Sequence, residues 1–358
     1  MVVLHVVGAR PQMMKLAPVW NALANKKLEQ YWYHTGQHSD ELLNAQFVTE
    51  LFLPMPTKQM AVDLKADNET RVEAMTRDLV QELAPWKHAV LLVYGDTLST
   101  LAGARAAKEL GFVLVHVEAG LRSGNFSMPE EAIRIEVDRL ADVHWCPSQA
   151  ALDYLVQEGV VKHASSSVVV GDVMLDVFRE YEPLPHRDRG GLVVTIHRNT
   201  NVDDSANRKM WLDAVCRLAV DRVVIWSMHH RWWSVATNEE RNQLRSSKVR
   251  LANPVGHEQM LKWCASSAVV VTDSGGLQKE SYMLGTPVAI LRKETEWLEL
   301  LASDGVELFD PLEPGVADRL VKWVEERELI PSNFPPVYGQ GYAAKAMADH
   351  FVELWPKS

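Results

Sequence analysis

A strand that passes through serine and glycine into a helix is the feature that most constrains the fold of this chain. The apolar run Ala268–Val271 is typical of a buried strand, and Thr272–Glu280 follows it with the sequence TDSGGLQKE. Ser274, Gly275 and Gly276 leave backbone N–H groups open at the start of the next helix, with no bulky side chains in the way. Open N–H groups and the positive end of a helix dipole favour a bound phosphate. The sequence therefore predicts a phosphate-binding turn here.

An acidic residue lies about one turn into the same helix. The carboxylate of Glu280 cannot help to bind phosphate, because like charges repel. Hydroxyl groups of a sugar or a ribose are better hydrogen-bonding partners for it. The turn and Glu280 together predict a nucleotide-sugar site. An ordinary glycine-rich turn before a helix is the alternative.

A second turn of the same kind lies near the N-terminus. The apolar run Val2–Val7 ends at Gly8, and a helical segment follows with Arg10 and Lys15 in its turn and first helical turns. Cations at a helix N-terminus oppose the helix dipole, so an anion that offsets them would explain their position. A pair of solvated surface cations is the alternative.

Short β-rich runs alternate with helical segments along the chain. This alternation predicts parallel sheets that are covered by helices on both faces. Besides the two strands above, strands are predicted at Tyr31–Thr35, Val90–Tyr94, Val113–Val117, Val143–Cys146, Val168–Val170, Leu192–Ile196, Val223–Trp226 and Val288–Leu291.

The length of 358 residues and one polar, proline-bearing stretch predict two domains. We expect a Rossmann-like domain at 1–176, a linker at 177–191 and, at 192–341, a second Rossmann-like domain that carries the predicted nucleotide-sugar site. A terminal helix at 342–358 is expected to cross back to the first domain. The predicted fold class is α/β, with two doubly wound domains that face each other across a cleft.

Composition excludes several classes of function. The net charge of −10 argues against general nucleic-acid or anionic-membrane binding. The three cysteines lie far apart, which is typical of a reducing cytosol, and no signal peptide or membrane helix is expected. No G-x-G-x-x-G, Walker or H-E-x-x-H motif is present. We therefore expect a cytoplasmic protein without a nicotinamide cofactor or a metal.

Acid/base side chains follow several of the predicted strands. Asp96, Glu118 and His197 come at strand ends, and Glu130 opens a helix that carries Arg134. Ligands of open α/β sheets bind beyond the carboxyl ends of the strands, so these residues are candidates for catalysis.

Each of these candidates also has a structural alternative. Asp96 could cap the following helix, and Glu130 or Glu131 could be a favourable charge at a helix N-terminus. His197 could be a hydrogen-bonded structural histidine. Their joint occurrence at strand ends favours the functional interpretation.

Eight short motifs lie along the chain, at Gly8–Pro11, Thr35–His38, Gly95–Thr97, His116–Ser123, Pro129–Glu131, His197–Arg198, Asp273–Gln278 and Glu296–Glu299. In order and spacing they resemble those of the non-hydrolysing UDP-N-acetylglucosamine 2-epimerases. The resemblance implies a two-domain GT-B fold, with UDP bound by the second domain, and reversible inversion at C2 of a UDP-linked acetamido sugar. It also implies a cytosolic, usually dimeric enzyme that supplies precursors of surface polysaccharide.

Other segments resemble one branch of the family, the enzymes that epimerise UDP-2,3-diacetamido-2,3-dideoxy-glucuronic acid for O-antigen synthesis. They are GARPQ at Gly8–Gln12, VGDVMLD at Val170–Asp176, QKE at Gln278–Glu280 and TEWLEL at Thr295–Leu300. UDP-GlcNAc and the diacetamido uronate both remain open as substrates. A uronate carboxylate needs a cation, for which the candidates are Arg292 and the run His229–Arg231.

Three positions depart from the family pattern. After His197-Arg198 the chain continues Asn199-Thr200-Asn201, without the glutamate that the family has there. Ile133 replaces an amide, and His230 stands in place of proline after His229. A weakened site is the alternative that these departures leave open.

The chemistry of such an epimerisation assigns roles to the candidates. The C2 hydrogen of the sugar becomes acidic only when UDP leaves C1. The departing diphosphate is stabilised by cations and helix N-termini. Two acid/base groups are also needed, one for each face of C2. Asp96, Glu118, Glu130 and His197 are the predicted catalytic residues. The predicted substrate-binding residues are Arg10, Lys15, Arg134, His229, Ser274, Gly275, Gly276, Glu280 and Arg292.

Alternative functions on the same fold are a GT-B glycosyltransferase, a hydrolysing 2-epimerase and a catalytically silent UDP-sugar sensor. A UDP-sugar and a second copy of the chain are the expected partners, and a second, allosteric UDP-sugar site stays open.

Overall fold

The computed structural model describes residues 1–37, 48–126, 128–161, 163–178, 189–329 and 332–356. His38 of the Thr35–His38 motif and most of the predicted linker lie outside these ranges. Two compact units result: Met1–Arg179 joins Val337–Ser358 in the first, and the second is Glu180–Pro336.

The boundary near the C-terminus differs from the predicted one. The second unit ends at Pro336 rather than at residue 341. The reason is that Tyr338 lies against the first unit, where its carbonyl oxygen accepts a hydrogen bond from the Asp172 N–H at 2.9 Å. Gly171 makes this approach possible, because a Cβ there would stand 2.9 Å from the same carbonyl.

The first unit contains a parallel sheet in the order β3-β2-β1-β4-β5-β6-β7. Its strands are β1 Val2–Val7, β2 Glu29–His34, β3 Lys58–Gln59, β4 Ala89–Tyr94, β5 Val113–Val117, β6 Val143–Cys146 and β7 Ser167–Val169. The helices of this unit are Arg10–Asn25, Asn68–Leu83, Leu98–Leu110, Pro129–Leu140, Gln149–Gln157, Val173–Phe178 and Ala343–Leu354.

Both faces of the first sheet are covered. Val3 and Val7 of β1 belong to one buried apolar cluster, and Leu4 and Val6 belong to another. Successive side chains of a strand point to opposite faces, so the two clusters lie on opposite sides of the sheet. This is why a central strand reads as an unbroken apolar run.

The second unit repeats the doubly wound arrangement in the parallel order β10-β9-β8-β11-β12-β13. Its strands are β8 Leu192–Thr195, β9 Val224–Ser227, β10 Arg250–Ala252, β11 Val269–Thr272, β12 Val288–Ile290 and β13 Val306–Leu308. Its helices are Asn199–Val202, Ser205–Leu218, His230–Val235, Asn238–Ser246, His257–Ser266, Gly275–Met283 and Val316–Leu329. None of the helices in the described ranges has the length and hydropathy that a bilayer crossing requires.

Three strands have no counterpart in the sequence prediction. They are β3, β10 and β13, and each forms an edge of its sheet. β3 is only two residues long and exposed, and Arg250 and Leu251 of β10 are exposed as well. An edge strand buries less side-chain area than a central one, so its sequence lacks the apolar run that identified the others.

His5, on β1, gives the first unit a pH dependence of stability. Burial lowers the pKa of His5 to about 3, against the opposing effect of its hydrogen bond to Gln30. The unfolded chain binds a proton at about 6.5, so the stabilisation is full above that pH and is lost as the pH falls towards 3. Between about pH 7.5 and about pH 5 the loss is about 2 kcal/mol.

Urea unfolding of the wild type and of His5→Gln at both pH values measures this contribution. The difference in unfolding free energy between the two pH values is expected to shrink by about 2 kcal/mol in the variant. An unchanged difference would show that His5 is not the residue responsible.

Candidate functional site

Both sheets have a point where the strand order reverses, and the predicted site residues lie there. In the first unit the reversal falls between β1 and β4, and in the second between β8 and β11. Ligands of doubly wound sheets bind outside the carboxyl ends of the strands at such points. The two constellations are described in turn.

The turn after β1 is filled by a side chain of its own helix. The Gln12 amide oxygen accepts hydrogen bonds from the N–H groups of Gly8 at 2.8 Å and Ala9 at 3.1 Å. Its amide nitrogen donates to the Tyr94 carbonyl at 2.8 Å and to the Thr100 hydroxyl at 3.0 Å. The expectation of two turns of the same kind is therefore wrong in one respect: these N–H groups are already used within the protein.

The predicted cations of this turn lie in different surroundings. Arg10 is exposed at the first helical position. Lys15 is mostly buried and forms an ion pair with Glu118, whose side chain is 8% exposed. Glu118 has a positive φ of 70°, which is uncommon for a residue other than glycine. Such a backbone persists only where the surroundings enforce it, and it is frequent at active sites.

Asp96 and Glu118 follow the ends of two neighbouring strands. The strands β4 and β5 pair in parallel, and an added Cβ at Gly95 would stand 3.3 Å from both the Glu118 carboxylate and the Lys15 ammonium group. Thr97, rather than Asp96, caps the helix Leu98–Leu110, since its hydroxyl accepts from the Thr100 N–H. The capping alternative for Asp96 is thus excluded.

Arg134 connects Asp96 to a buried carboxylate. Its guanidinium group pairs with Asp96 through Nη2 and with Glu131 at 2.6 Å through Nη1. Glu131 is 1% exposed and also accepts hydrogen bonds from Ser123 and from the Gly124 N–H. The interpretation of Glu131 as a simple helix-terminal charge is therefore wrong.

The ionisation of Glu131 follows from these contacts. Burial acts to raise its pKa, but the hydrogen bonds from Ser123 and Gly124 and the Arg134 guanidinium outweigh burial and hold the pKa below its usual range. Glu131 therefore stays charged and orients Arg134. Its neighbour Glu130 is exposed on the first turn of the same helix.

A buried carboxylate organises the second unit. Asp273, fully buried after β11, accepts hydrogen bonds from the N–H groups of His197 at 3.0 Å and Arg198 at 2.8 Å. His197 Nδ1 also lies 3.2 Å from an Asp273 oxygen, and Asn201 donates to the other oxygen at 3.0 Å. The end of β8 is thereby tied to the end of β11.

The departure from the family pattern after Arg198 leaves this network intact. Asn201 also donates to the Leu291 carbonyl at 2.8 Å and accepts from the Trp211 indole at 3.0 Å. Asn199 and Thr200, the two residues between Arg198 and Asn201, are exposed.

The predicted phosphate-binding turn lies at the start of the helix Gly275–Met283. Ser274 caps this helix, and a Cβ added at Gly276 would meet only the Glu280 carboxylate, at 3.8 Å. A Cβ added at Gly275 would stand 2.2 Å from the Glu296 carboxylate, so that side chain would have to shift. Of the two turns, this one has a helix start that opens onto a cavity.

That cavity has a volume of about 370 Å³ and lies within the second unit. Four of its polar residues are predicted site residues, namely His197, His229, Ser274 and Glu280. An additional one is His257, whose Nε2 lies 2.9 Å from the Glu280 carboxylate. The complete lining is Thr195, His197, Ser227, His229, Pro254, Val255, His257, Met260, Ser274, Gly276, Leu277 and Glu280.

The histidines of this cavity are suited to an anion. The ring of His229 lies 5.6 Å from that of His197 and 4.1 Å from that of His230. Burial and the charges of His230, His197 and Arg231 lower the pKa of His229. A diphosphate would oppose these effects and favour the charged imidazole.

Both candidates for a uronate-binding arginine already have a carboxylate partner. Arg292 is buried and pairs with Glu296 at 2.7 Å, beside the phosphate-binding turn. Arg231 is partly exposed and pairs with Asp203 at 2.6 Å. In the described ranges, no group of histidine, cysteine or acidic side chains is arranged to hold a metal ion.

Comparisons with known proteins agree with one family. A family model described as UDP-N-acetylglucosamine 2-epimerase matches residues 21–351. The chain is 33% identical to the UDP-2,3-diacetamido-2,3-dideoxy-D-glucuronate 2-epimerase of Pseudomonas aeruginosa, over 99% of this chain and 100% of the relative. It is 28% identical to the UDP-N-acetylglucosamine 2-epimerase of Bacillus subtilis, over 98% of this chain and 94% of the relative.

A solved structure is similar over nearly the whole length. The UDP-GlcNAc 2-epimerase of Methanocaldococcus jannaschii, in complex with UDP-GlcNAc and UDP, matches with a TM-score of 0.77 and 26% identity over 98% of this chain and 99% of that one. The predicted α/β, GT-B-like fold is confirmed by this likeness. The chain therefore belongs to the UDP-N-acetylglucosamine 2-epimerase family.

Proposed function

We propose that this isomerase inverts C2 of a UDP-linked 2-acetamido sugar by eliminating UDP and adding it back, without releasing free sugar. The observation that carries the proposal is the pair of carboxylates Asp96 and Glu118 at adjacent strand ends, each beside a cation. The names of the relatives support both UDP-GlcNAc and the diacetamido uronate as substrates.

The second unit supplies the groups that suit the UDP moiety. The open N–H groups at Gly275 and Gly276 and the histidines His197 and His229 suit the diphosphate. Glu280, held by His257, is an acceptor for ribose hydroxyls. Such groups stabilise the negative charge that builds up on UDP as it leaves.

The first unit supplies the acid/base groups. When the C1–O bond breaks, its electron pair leaves with UDP, and a carboxylate takes the C2 proton to give a glycal. A second acid then protonates C2 from the opposite face, and a UDP oxygen re-forms the bond to C1. Asp96, Glu118 and Glu130 are proposed for these two transfers, with Arg134 and Lys15 holding the first two in place.

Proton NMR in deuterated water tests the reaction. The protein is incubated separately with UDP-GlcNAc and with the UDP-linked diacetamido uronate. Deuterium at C2 with UDP still attached is the expected result for at least one of them. Free UDP with free sugar would indicate hydrolysis. Sugar transfer to an added acceptor would indicate a glycosyltransferase, and no change with either sugar would favour a sensor.

The structure also sharpens the test of substrate choice. Arg292→Ala removes the partner of Glu296 beside the phosphate-binding turn, so we expect KM to rise for both sugars. Arg231→Ala breaks only a partly exposed pair with Asp203. If Arg231 binds a uronate, its loss raises KM about tenfold or more for the acidic sugar alone.

A matched control for that experiment is Arg217→Ala, which breaks an exposed pair with Asp318 elsewhere in the second unit. Its KM values are expected to match those of the wild type. An equal rise in KM for both sugars in Arg231→Ala would instead indicate that Arg231 binds the diphosphate.

A homodimer located in the cytoplasm is also proposed, and light scattering of the purified chain tests the dimer.

A further inference from the structure

We propose that His116 is a buried imidazolium that donates a hydrogen bond from each ring nitrogen and positions the turns that carry Asp96 and Glu118. His116 lies on β5 and is fully buried. Its effect on turnover rests on the function proposed above, whereas its charge follows from hydrogen-bond chemistry alone. It is a positioning residue, since it reaches the acid/base groups only through the backbone.

Both ring nitrogens of His116 face acceptors. Nδ1 lies 2.6 Å from a carboxylate oxygen of Asp138, and Nε2 lies 2.9 Å from the carbonyl oxygen of Gly95. A carbonyl and an ionised carboxylate accept hydrogen bonds and donate none. A neutral imidazole has a single N–H, so it would turn a lone pair towards one of these oxygens. Only the doubly protonated ring donates to both.

The ionisation of Asp138 is supported by its other partners. Arg122 donates to it at 2.7 Å, and the Gly120 N–H does so at 3.2 Å. Burial acts to raise the pKa of Asp138, but His116 and Arg122 outweigh burial and hold the pKa below its usual range. Arg122 also forms a bidentate pair with Glu158, at 2.7 and 2.8 Å. With His116 charged, two cations and two anions balance in this network.

This network holds two turns in uncommon conformations. Gly95 has a φ of 64° and directly precedes Asp96, and its carbonyl is fixed by His116. Glu118 and Gly120 have φ values of 70° and 84°, and the Gly120 N–H is fixed by the carboxylate that pairs with His116. Glycine adopts such values readily, whereas a left-handed residue of another type, here Glu118, is retained only where the surrounding structure enforces it. One buried ion pair therefore fixes the turns after both β4 and β5.

A neighbouring histidine provides a contrast within the same sheet. His144 on β6 pairs in register with His116 and is also buried. Its Nε2 lies 2.8 Å from the Asp138 carbonyl, but its Nδ1 lies 2.9 Å from the Ser167 hydroxyl, which can donate. A neutral His144 ring with a single N–H can therefore satisfy both of its contacts. Burial lowers the pKa of His144, and the charge of His116 acts in the same direction.

The charge can be measured directly. The measurement is a two-bond ¹H–¹⁵N correlation spectrum of the full chain labelled at histidine, recorded near neutral pH. His116 is expected to show two protonated ring nitrogens, and His144 only one. The His116→Asn and His144→Gln variants assign the signals. A single protonated nitrogen at His116 near neutral pH overturns the proposal, whatever reaction the enzyme catalyses.

The positioning role has its own test, with two substitutions that differ in which contact they keep. In His116→Gln the side-chain amide nitrogen takes the place of Nε2 and can still donate to the Gly95 carbonyl. In His116→Asn the amide nitrogen takes the place of Nδ1, so the hydrogen bond to Gly95 is lost. We expect kcat to fall about 10²-fold in the Asn variant and about tenfold in the Gln variant, with KM within a few-fold in both. His144→Gln is the control, with near-normal kcat.

Equal losses in the two His116 variants, or normal turnover in His116→Asn, would disprove the positioning role. Thermal melting shows whether each variant folds, and the spectra of the wild type decide the charge even if neither does. If the wild type epimerises neither sugar, the proposed function fails while the charge of His116 is still measured.

Discussion

Three substitutions, Asp96→Asn, Glu118→Gln and Glu130→Gln, are each expected to lower turnover about 10²-fold or more while UDP affinity stays within a few-fold. Each removes a carboxylate that the proposed reaction needs for one of its proton transfers. UDP affinity is expected to survive because the cavity in which UDP is proposed to bind is formed by residues of the second unit. Steady-state kinetics by NMR and calorimetry with UDP give the two readouts.

Glu136 lies on the same helix as Glu130, Pro129–Leu140, and provides a control that separates catalysis from general effects of a lost charge. Glu136→Gln removes a partly exposed carboxylate that pairs with Arg105, and its turnover is expected to match the wild type. Near-normal turnover in two of the three carboxylate variants would remove the proposed acid/base roles. A loss of UDP affinity that matches the loss of turnover would instead place these residues in ground-state binding.

The central parts of both sheets could be predicted from the sequence because their strands are buried on both faces. Val2–Val7, Val113–Val117 and Val143–Cys146 begin and end at the predicted residues. In a doubly wound sheet the carboxyl ends of such strands meet at one edge, so the position of Asp96 and Glu118 after neighbouring strands could also be predicted.

The buried polar contacts behind the candidate site were harder to foresee. Glu130 and Glu131 are adjacent in sequence, yet one is exposed and the other is buried beneath Arg134. The spacing of Glu131, Arg134 and Asp138 does place all three on one face of the helix, so a signal was present. It was overlooked because charged residues are expected on the solvent side of a helix.

Gln12 and Asp273 show a different limit. Each lies beside a glycine turn, where a side chain can either leave the backbone N–H groups open or accept their hydrogen bonds. Composition cannot distinguish these outcomes, because they depend on the side-chain rotamer of the residue beside the turn. The first turn is therefore filled by Gln12, while the turn at Gly275 and Gly276 borders the cavity.

Gly276→Ala is expected to weaken UDP binding about tenfold to a hundredfold while leaving thermal stability unchanged. The added methyl group has room in the protein, since its nearest neighbour would be the Glu280 carboxylate at 3.8 Å. It would, however, project into the cavity where the diphosphate is proposed to bind. A displaced phosphate loses one or more hydrogen bonds to a charged group, each worth about 1.5–3 kcal/mol. Calorimetry with UDP and a thermal melt give the two quantities.

Two further variants and a control show whether the lower UDP affinity of Gly276→Ala results from lost contacts with the diphosphate. Gly190→Ala adds a methyl group elsewhere in the second unit with nothing within 4 Å, and UDP affinity is expected to be unchanged. His197→Ala removes the imidazole beside Asp273, and Arg10→Ala removes an exposed cation of the first unit; both are expected to weaken UDP binding. Unchanged UDP affinity in both His197→Ala and Arg10→Ala would refute their assignment to the diphosphate. If Gly276→Ala also bound UDP normally, the phosphate would have to bind away from this helix start, because no anion could keep its N–H contacts beside the added methyl group.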